Sequence, residues 1–393
     1  MRRGKLGNGC IDAQTKLSPY DSTSVIIQPQ MRTLEKLTIK NFKSIREQTL
    51  ELGKLNVFIG GNGVGKSNLI GAFRFLREIV NQNLAGYTVT KGGADTLLYF
   101  GKKKSPEMSF RLEFGEGDIG NAYAVKLKPT DDGGFMIAEE TAYYHERKHY
   151  SVPYVKGIAF SSKESKLKTE NHICAREAMS DLDSYRVYHF HDTSDTAAVK
   201  DVCDVEDNRV LRPQAENLAA FLYWMQQKQP DYFANIQDTL RQIAPFFEEF
   251  RLAPSQLNEG KIRLEWKEKG SDAYFNAASL SDGTLRFLCL TTLLLQPKLP
   301  MVVLLDEPEL GLHPAAVTLL ADLLSSAATR TQVIVATQSV TLVNQFEPES
   351  VWAVDREDGQ SVFRHLSQQD MTAWLDDYGL GELWEKNILG ARP

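Results

Sequence analysis

The chain has 393 residues, of which 42% are hydrophobic and 24% charged, and its formal net charge is −6 at pH 7. This composition is typical of a globular protein of one or two domains, and the negative charge argues against a uniformly basic nucleic-acid binder, although a local basic patch stays open. No apolar run approaches the roughly 18 residues that cross a bilayer. The four cysteines form no Cys-x-x-Cys pair, so we expect a cytoplasmic protein with reduced thiols, no zinc site and no membrane association.

The first thirty residues differ in character from the rest of the chain. Residues 1–30 are polar, rich in turn-forming residues and without periodicity, which predicts a disordered or loosely docked extension. Structured sequence begins at Met31, which could be the natural start of the protein; the alternative is an arm that packs on a partner. The alternation of apolar and polar residues over 34–42 then predicts a half-buried strand.

A glycine-rich loop follows the first buried strand. The apolar run LNVFIGG at 55–61 predicts that strand, and apolar residues at helical spacing over 67–84 predict a helix. Between them, GGNGVGKS at 60–67 fits the pattern G-x-x-x-x-G-K-[ST], in which glycines let backbone N–H groups surround phosphates and the helix N-terminus adds positive charge. We expect Lys66 to reach the β- and γ-phosphates and Ser67 to bind Mg²⁺. A plain glycine turn before a helix is the alternative. The expected nucleotide-binding residues of this loop are Gly60, Asn62, Gly63, Gly65, Lys66, Ser67 and Asn68.

The middle of the chain, 101–265, is less regular. Alternating segments predict strands, and 217–247 predicts two helices separated at Pro230. His189 and His191 would share one face of a strand, where a metal site is weighed against a structural or interface role. Basic clusters, which are either solvated surface or contacts with DNA phosphates, lie at 101–105, 145–149 and 162–168.

A second apolar run, MVVLLDEPEL at 301–310, ends in two carboxylates. Asp306, at the carboxyl end of the predicted strand, is suited to hold Mg²⁺ mostly through water. Glu307 is the candidate general base that polarises an attacking water. Solvated acids at an edge strand are the alternative. From 280 onward the order helix, strand, helix, strand predicts a parallel α/β core.

Four segments occur in a fixed order: the glycine-rich loop, LSDGT (280–284), LLDEPELGLHP (304–314) and VIVATQS (333–339). This order resembles the ATP-binding-cassette ATPases, in which LSDGT stands at the signature, ELGLHP at the D-loop and Gln338 at a switch position that commonly holds His. LTIKNFKSI at 37–45 and the compact length are similar to the RecF/SMC/OLD-like branch. Neither a long coiled coil nor a C-terminal TOPRIM nuclease is expected.

The resemblance implies an α/β fold: a P-loop ATPase head with a parallel-sheet core, an antiparallel β subdomain and an inserted helical lid. It also implies that the signature helix of one subunit faces the phosphate loop of another. Ser281 and Gly283, with Asp282 between them, would then contact the γ-phosphate of ATP held by the partner. The implied regions are an extension (1–30), two parts of the ATPase core (31–100 and 266–360), a lid and specificity region (101–265) and a helical tail (361–393).

The implied function is that of an ATPase that uses ATP and Mg²⁺ and closes as a homodimer, or as a higher oligomer. It would sense or bind DNA and regulate a separate effector, a nuclease or toxin, in antiphage defence. A RecF-like DNA repair loader and a nucleotide-gated scaffold with negligible hydrolysis are the alternatives. Gln338 can donate to a phosphate or orient water but cannot take a proton, so Glu307 would carry the base role alone, with Lys66 stabilising charge. Trp374 and Trp384 either pack on the core or anchor a partner.

Overall fold

The computed structural model describes residues 32–367 and 378–391. The extension 1–30, Met31 and Trp374 lie outside the described residues. The strands are β1 (Thr33–Phe42), β2 (Ile45–Glu51), β3 (Leu55–Ile59), β4 (Met108–Glu116), β5 (Ile119–Pro129), β6 (Phe135–Glu146), β7 (Tyr154–Ser162), β8 (Tyr185–Tyr188), β9 (Cys203–Asp204), β10 (Phe247–Phe250), β11 (Lys261–Ile262), β12 (Glu265–Glu268), β13 (Tyr274–Asn276), β14 (Val302–Asp306), β15 (Gln332–Thr337), β16 (Val351–Glu357) and β17 (Gln360–His365). The α-helices are α1 (Lys66–Val80), α2 (Leu84–Thr90), α3 (Ala94–Leu97), α4 (Gly101–Lys104), α5 (Ile173–Ser184), α6 (Leu218–Lys228), α7 (Pro230–Ile243), α8 (Asp282–Leu295), α9 (Pro314–Ala328), α10 (Val340–Val343) and α11 (Leu380–Glu385).

A six-stranded sheet, in the order β17-β16-β3-β15-β14-β8, forms the centre of the molecule. Its strands are parallel except β17, which returns antiparallel to β16. β3, β14 and β15 are buried along nearly their whole length, as expected for a sheet covered on both faces. Because the carboxyl ends of parallel strands meet at one edge, the loops after β3, β14, β15 and β8 are neighbours there.

A second six-stranded sheet is antiparallel throughout, in the order β2-β1-β4-β5-β6-β7. β4 alternates buried and half-buried residues along most of its length, so that one face of this sheet is apolar. The side chain of Gln332 joins the two sheets: its Oε1 accepts from Leu34 N (3.0 Å), and its Nε2 donates to Leu34 O (2.9 Å) and Gly53 O (2.8 Å). The amide thus satisfies backbone groups at the buried junction.

Two apolar cores lie on opposite faces of the parallel sheet. Alternate residues of a strand point to opposite faces; accordingly Phe58 and Leu304 belong to the core under α1 and the antiparallel sheet. Val57 and Val303 belong to the core formed with α6 to α9. Helix α1 is therefore held between the two sheets, and the loop that precedes it is anchored from both sides.

The predicted α/β class, with a parallel core and an antiparallel β subdomain, is confirmed. Residues 101–265 contribute β4 to β7 to the antiparallel sheet, β8 to the parallel sheet, and the helices α6 and α7. Pro230 is the first residue of α7 and separates it from α6, as predicted. That this region acts as a lid stays a prediction. No helix among the described residues is long and apolar enough to span a membrane.

Two ends differ in detail from the sequence-based expectations. Helix α1 stops at Val80, before the predicted boundary at 84, because Gln82 adopts a left-handed backbone with φ +61°. In the C-terminal region, where a helical tail was predicted, 361–365 is strand, and the part described after residue 377 contains the helix Leu380–Glu385. Trp384 is fully buried and donates through Nε1 to Ala391 O, which places it in the core.

Candidate functional site

The glycine-rich loop connects β3 to α1 at the carboxyl edge of the parallel sheet. Gly60, Gly63 and Gly65 have φ angles of +154°, +77° and +121°, the latter two in the region that favours glycine. A Cβ on Gly65 would collide with the side chain of Ser361 and approach Ser44 Oγ to 2.9 Å. The loop is therefore bound closely by two serines that are distant in sequence.

Lys66, the first residue of α1, points back into this loop. Its side chain is only 4% exposed, and its Nζ donates to Gly60 O and, at 2.9 Å, to Gly61 O. Burial lowers the pKa of Lys66, whereas the carboxylates of the neighbouring acidic segment, Glu307 foremost, act in the opposite direction. The buried Lys66 ammonium, surrounded by backbone groups of the glycine-rich loop, is suited to bind an anion such as phosphate.

The carboxylate that ends β14 lies beside the first turn of α1. Ser67 Oγ donates to Asp306 Oδ1 at 3.2 Å. Burial raises the pKa of Asp306, and the hydrogen bond from Ser67 opposes that shift. A hydroxyl and a carboxylate are hard oxygen donors of the kind Mg²⁺ prefers, so this pair would be suited to hold that ion.

Glu307 and Gln338 meet where β14 and β15 end. Glu307 has a left-handed backbone, φ +45°, an uncommon state for such a residue that occurs preferentially at functional sites. Its N–H donates to Ala336 O at 2.7 Å, and its Oε1 accepts from Gln338 Nε2. Glu309 Oε1 accepts from Thr337 Oγ1 (2.5 Å) and Gln338 N (3.1 Å), which fixes the backbone from which Gln338 projects.

The segment after β8 brings two histidines to the same edge. His191 Nε2 donates to Asp306 O at 2.7 Å, and the rings of His189 and His191 are 4.1 Å apart. Burial lowers the pKa of His189 to about 4, so it is neutral at physiological pH. Within the described residues, no group of three His, Cys, Asp or Glu side chains is arranged to hold a metal. The histidines are thus site neighbours, a role the sequence reasoning missed.

The LSDGT segment has mainly local contacts. Ser281 caps α8, its Oγ accepting from Thr284 N at 3.2 Å, and Asp282 is exposed, 4.0 Å from Lys200 Nζ. A Cβ on Gly283 would lie 2.6 Å from Gly311 O, so this position packs against the D-loop. None of the hydrogen bonds of the described residues joins 281–283 to the glycine-rich loop of the same chain.

Two further predicted residues lie on the loop side. Asn62 is exposed on the loop, and Asn68 Nδ2 donates to Ser44 Oγ at 2.7 Å. The structure therefore brings Gly60 to Asn68 together with Asp306, Glu307 and Gln338. No hydrogen bond of the described residues joins Ser281, Asp282 or Gly283 to this group.

Arg286, which the sequence reasoning did not select, connects the two groups. It is 6% exposed; its Nε donates to Phe190 O (2.9 Å), its Nη2 to His191 O (3.0 Å) and its Nη1 to Leu310 O. One guanidinium on α8 thus holds the segment after β8 and the D-loop. The only sequence signal was an arginine inside an otherwise apolar helix.

Comparisons with known proteins agree with this geometry. The family model described as "AAA domain, putative AbiEii toxin, Type IV TA system" matches residues 55–344. No curated protein matches the chain in sequence. Among solved structures, an Smc head bound to the C-winged helix domain of ScpA is 16% identical with a TM-score of 0.58, covering 86% of this chain and 99% of that one.

Two other Smc heads have the same fold. One, with an extended coiled coil and bound to the C-terminal domain of ScpA, derived from Pyrococcus furiosus, is 16% identical with a TM-score of 0.55, covering 88% of this chain and 99% of that one. One from Pyrococcus yayanosii, with a coiled coil and joint, is 14% identical with a TM-score of 0.50, at coverages of 88% and 99%. The predicted resemblance to compact RecF/SMC-like ATP-binding-cassette ATPases is confirmed. Because the family model matches more than half of the chain, this protein belongs to the AAA domain family of putative AbiEii toxins of type IV TA systems.

Proposed function

We propose that this chain is an ATP-binding-cassette ATPase that binds ATP with Mg²⁺, hydrolyses it, and works as a homodimer. One observation carries the proposal: a buried Lys66 inside a glycine loop, the Ser67–Asp306 pair and the Glu307–Gln338 pair lie at one edge of one sheet. This is the set of groups that phosphoryl transfer to water requires.

The loop would hold the β- and γ-phosphates through its backbone N–H groups and the N-terminus of α1. Lys66 donates to the carbonyls of Gly60 and Gly61, and it would exchange such a contact for a phosphate oxygen. Ser67 and Asp306 would hold Mg²⁺, which when bound neutralises phosphate charge. These residues bind and orient the substrate.

Glu307 is the proposed general base. Gln338 donates to its Oε1, while no hydrogen bond to Oε2 occurs in the described part of the chain, which leaves that oxygen to take a proton from the attacking water. The pair also supports a second candidate function. Because an amide occupies one oxygen of the base and cannot itself accept a proton, a nucleotide-gated scaffold with negligible hydrolysis is the alternative.

Two features of the LSDGT segment support the proposed homodimer. Ser281, Asp282 and Gly283 have no hydrogen bond to the loop of their own chain in the described residues, yet Gly283 leaves no room for a side chain against Gly311. We propose that this segment faces the loop of a second copy, so that two nucleotides lie between two subunits. Higher oligomers would be built from such pairs.

The biological role proposed is regulation of a separate effector in antiphage defence, with DNA as the sensed ligand. The family description, which names a putative toxin of a type IV system, supports a defence role. Smc heads bound to ScpA domains support a protein partner for this fold. We assign specificity to 101–265, where the exposed lysines Lys102, Lys148 and Lys163 could contact DNA phosphates.

The test is ATP turnover by the wild type and Glu307→Gln, at several protein concentrations, with and without duplex or gapped DNA. We expect turnover per subunit to rise with protein concentration, to respond to DNA, and to fall roughly 100-fold or more in Glu307→Gln. ATP binding without turnover by the wild type would favour the scaffold. Absence of ATP binding would contradict both functions.

A further inference from the structure

We propose that a groove beside the glycine-rich loop binds the purine base of the nucleotide, with Phe100 as the stacking residue. This inference rests on the proposed function and adds a base-recognition site to it. The groove has a volume of about 420 Å³, and its lining residues are Tyr99, Phe100, Lys103, Lys104 and Asp358. Its volume is large enough for a purine ring, and the groove is shallow and widely open to solvent.

Phe100 is a supported ring that faces water. Its side chain is 62% exposed, whereas Tyr99 is 5% exposed. The two rings meet edge to face, 4.6 Å apart at 84°, and a Cβ on Gly359 would lie 3.0 Å from the Phe100 ring. The backbone of Phe100 is left-handed, φ +52°, which is strained for a bulky residue. A fold that holds an aromatic ring rigidly in solvent provides a stacking surface.

The groove is built from the segments that also support the phosphate loop. Tyr99 N donates to Asn41 O (3.1 Å) near the end of β1. Asp358 belongs to the turn between β16 and β17, where Arg356 Nη1 donates to Gly63 O at 3.4 Å. A nucleotide with its phosphates in the loop would therefore have its base within reach of this groove.

The polar groups of the groove match a base better than a nucleic-acid backbone. The Asp358 carboxylate can accept from an exocyclic amino group, such as that of adenine, but would repel a phosphodiester. Lys103 and Lys104 can donate to ring nitrogens or ribose hydroxyls. A carboxylate beside an exposed ring thus favours an amino purine as the ligand.

The experiment compares the binding of ADP and inorganic pyrophosphate, each with Mg²⁺, by titration calorimetry, and measures GDP and single-stranded DNA binding in the same way. Neither ligand requires turnover or a γ-phosphate. The variants are Phe100→Ala, Phe100→Trp, Asp358→Ala and Lys66→Ala. Phe160→Ala is the matched control, since Phe160 is 66% exposed in the antiparallel sheet. Thermal denaturation establishes that each variant is folded.

We expect Phe100→Ala to weaken ADP binding roughly 5- to 100-fold, the range for loss of one stacked base, and to leave pyrophosphate binding unchanged. Phe100→Trp should retain ADP affinity, Asp358→Ala should reduce the preference for ADP over GDP, and Phe160→Ala should have no effect. Lys66→Ala should lose both ligands.

Three results would overturn the base site: equal affinity of the wild type for ADP and pyrophosphate, unchanged ADP affinity in Phe100→Ala, or a defect of Phe100→Ala confined to single-stranded DNA. In each of these cases the proposed function survives as long as the wild type binds both ligands and Lys66→Ala does not. If the wild type binds neither ligand, the proposed function itself fails.

Discussion

The glycine-rich loop and the LSDGT segment differ in how the chain supports them. The loop is braced by Ser44 and Ser361, and a side chain on Gly65 would collide with them. The LSDGT segment has a local cap from Ser281 and one close approach of Gly283 to Gly311. The glycine-rich loop is thus assembled within the chain, whereas no hydrogen bond of the described residues joins the LSDGT segment to it. The proposed homodimer accounts for this difference, because a second copy would bring its LSDGT segment to the loop.

The largest expected loss of ATP affinity is at Lys66, because its buried ammonium lies inside the glycine-rich loop. Lys66→Ala should weaken ATP binding by roughly 100-fold or more, since it removes a desolvated charge from the phosphates. Titration calorimetry measures this directly. Lys40→Ala is the control, because that lysine pairs with Glu47 at the surface. Comparable affinity in Lys66→Ala and wild type would mean that the loop does not bind phosphate.

Substitution in the LSDGT segment should lower ATP turnover without changing nucleotide affinity. Ser281→Arg puts a long side chain at the surface that we propose faces the partner's phosphates. We expect turnover to fall roughly 100-fold, the scale for losing one transition-state donor, while ADP affinity stays the same. Steady-state kinetics measures the turnover, and calorimetry measures the ADP affinity. An equal loss of ADP affinity would place Ser281 in the nucleotide site of its own chain.

Substitution of Arg286 tests whether its contacts with the segment after β8 and with the D-loop matter for turnover. Arg286→Ala leaves the carbonyls of Phe190, His191 and Leu310 without a donor, and should lower the free energy of unfolding by about 2–3 kcal/mol and turnover by roughly tenfold. Urea denaturation and steady-state kinetics measure the two effects.

Arg330→Ala is the matched control for Arg286→Ala. Arg330 donates to Leu294 O (2.6 Å) and Gln296 O (3.0 Å) at the other end of α8. Its loss should lower stability without lowering turnover. Turnover that falls equally in both variants would mean that Arg286 acts on stability alone.

What could be predicted from the sequence depended on how local each feature is. The loop with Lys66 and the acids Asp306 and Glu307 are contiguous segments after apolar strands, and their residue types alone predict phosphate and metal chemistry. The parallel core followed from alternating strands and helices. These predictions needed no knowledge of long-range contacts.

Contacts between distant segments could not be predicted. Ser44 and Ser361 meet at Gly65 from opposite ends of the chain. β8 has only four residues, too few for a clear pattern, so the position of His191 against Asp306 O was unforeseen. Arg286 gives no signal of its three carbonyl partners. In each case tertiary packing, which one sequence does not display, determines the neighbour.

The smallest expected effect is the change in stability when the charge of the buried Asp306 carboxylate is removed. Burial raises the pKa of Asp306, so the folded state holds a proton that the unfolded state has lost, and this contribution to stability disappears as pH rises from about 4 through the raised pKa. Without nucleotide or metal, Asp306→Asn should therefore be more stable than wild type at neutral pH, and the difference should shrink at acid pH. Asp282→Asn, in the exposed LSDGT segment, is the control for removing a carboxylate. A pH-independent difference for Asp306→Asn would contradict the assignment.

The most direct test of a site shared between two copies is the mass of Glu307→Gln in solution, by light scattering with and without saturating ATP and Mg²⁺. Because this variant should bind ATP but not hydrolyse it, we expect a monomer without nucleotide and a dimer with it, and a monomer in both cases when Ser281→Arg is added. A monomer of Glu307→Gln with ATP bound would contradict the account.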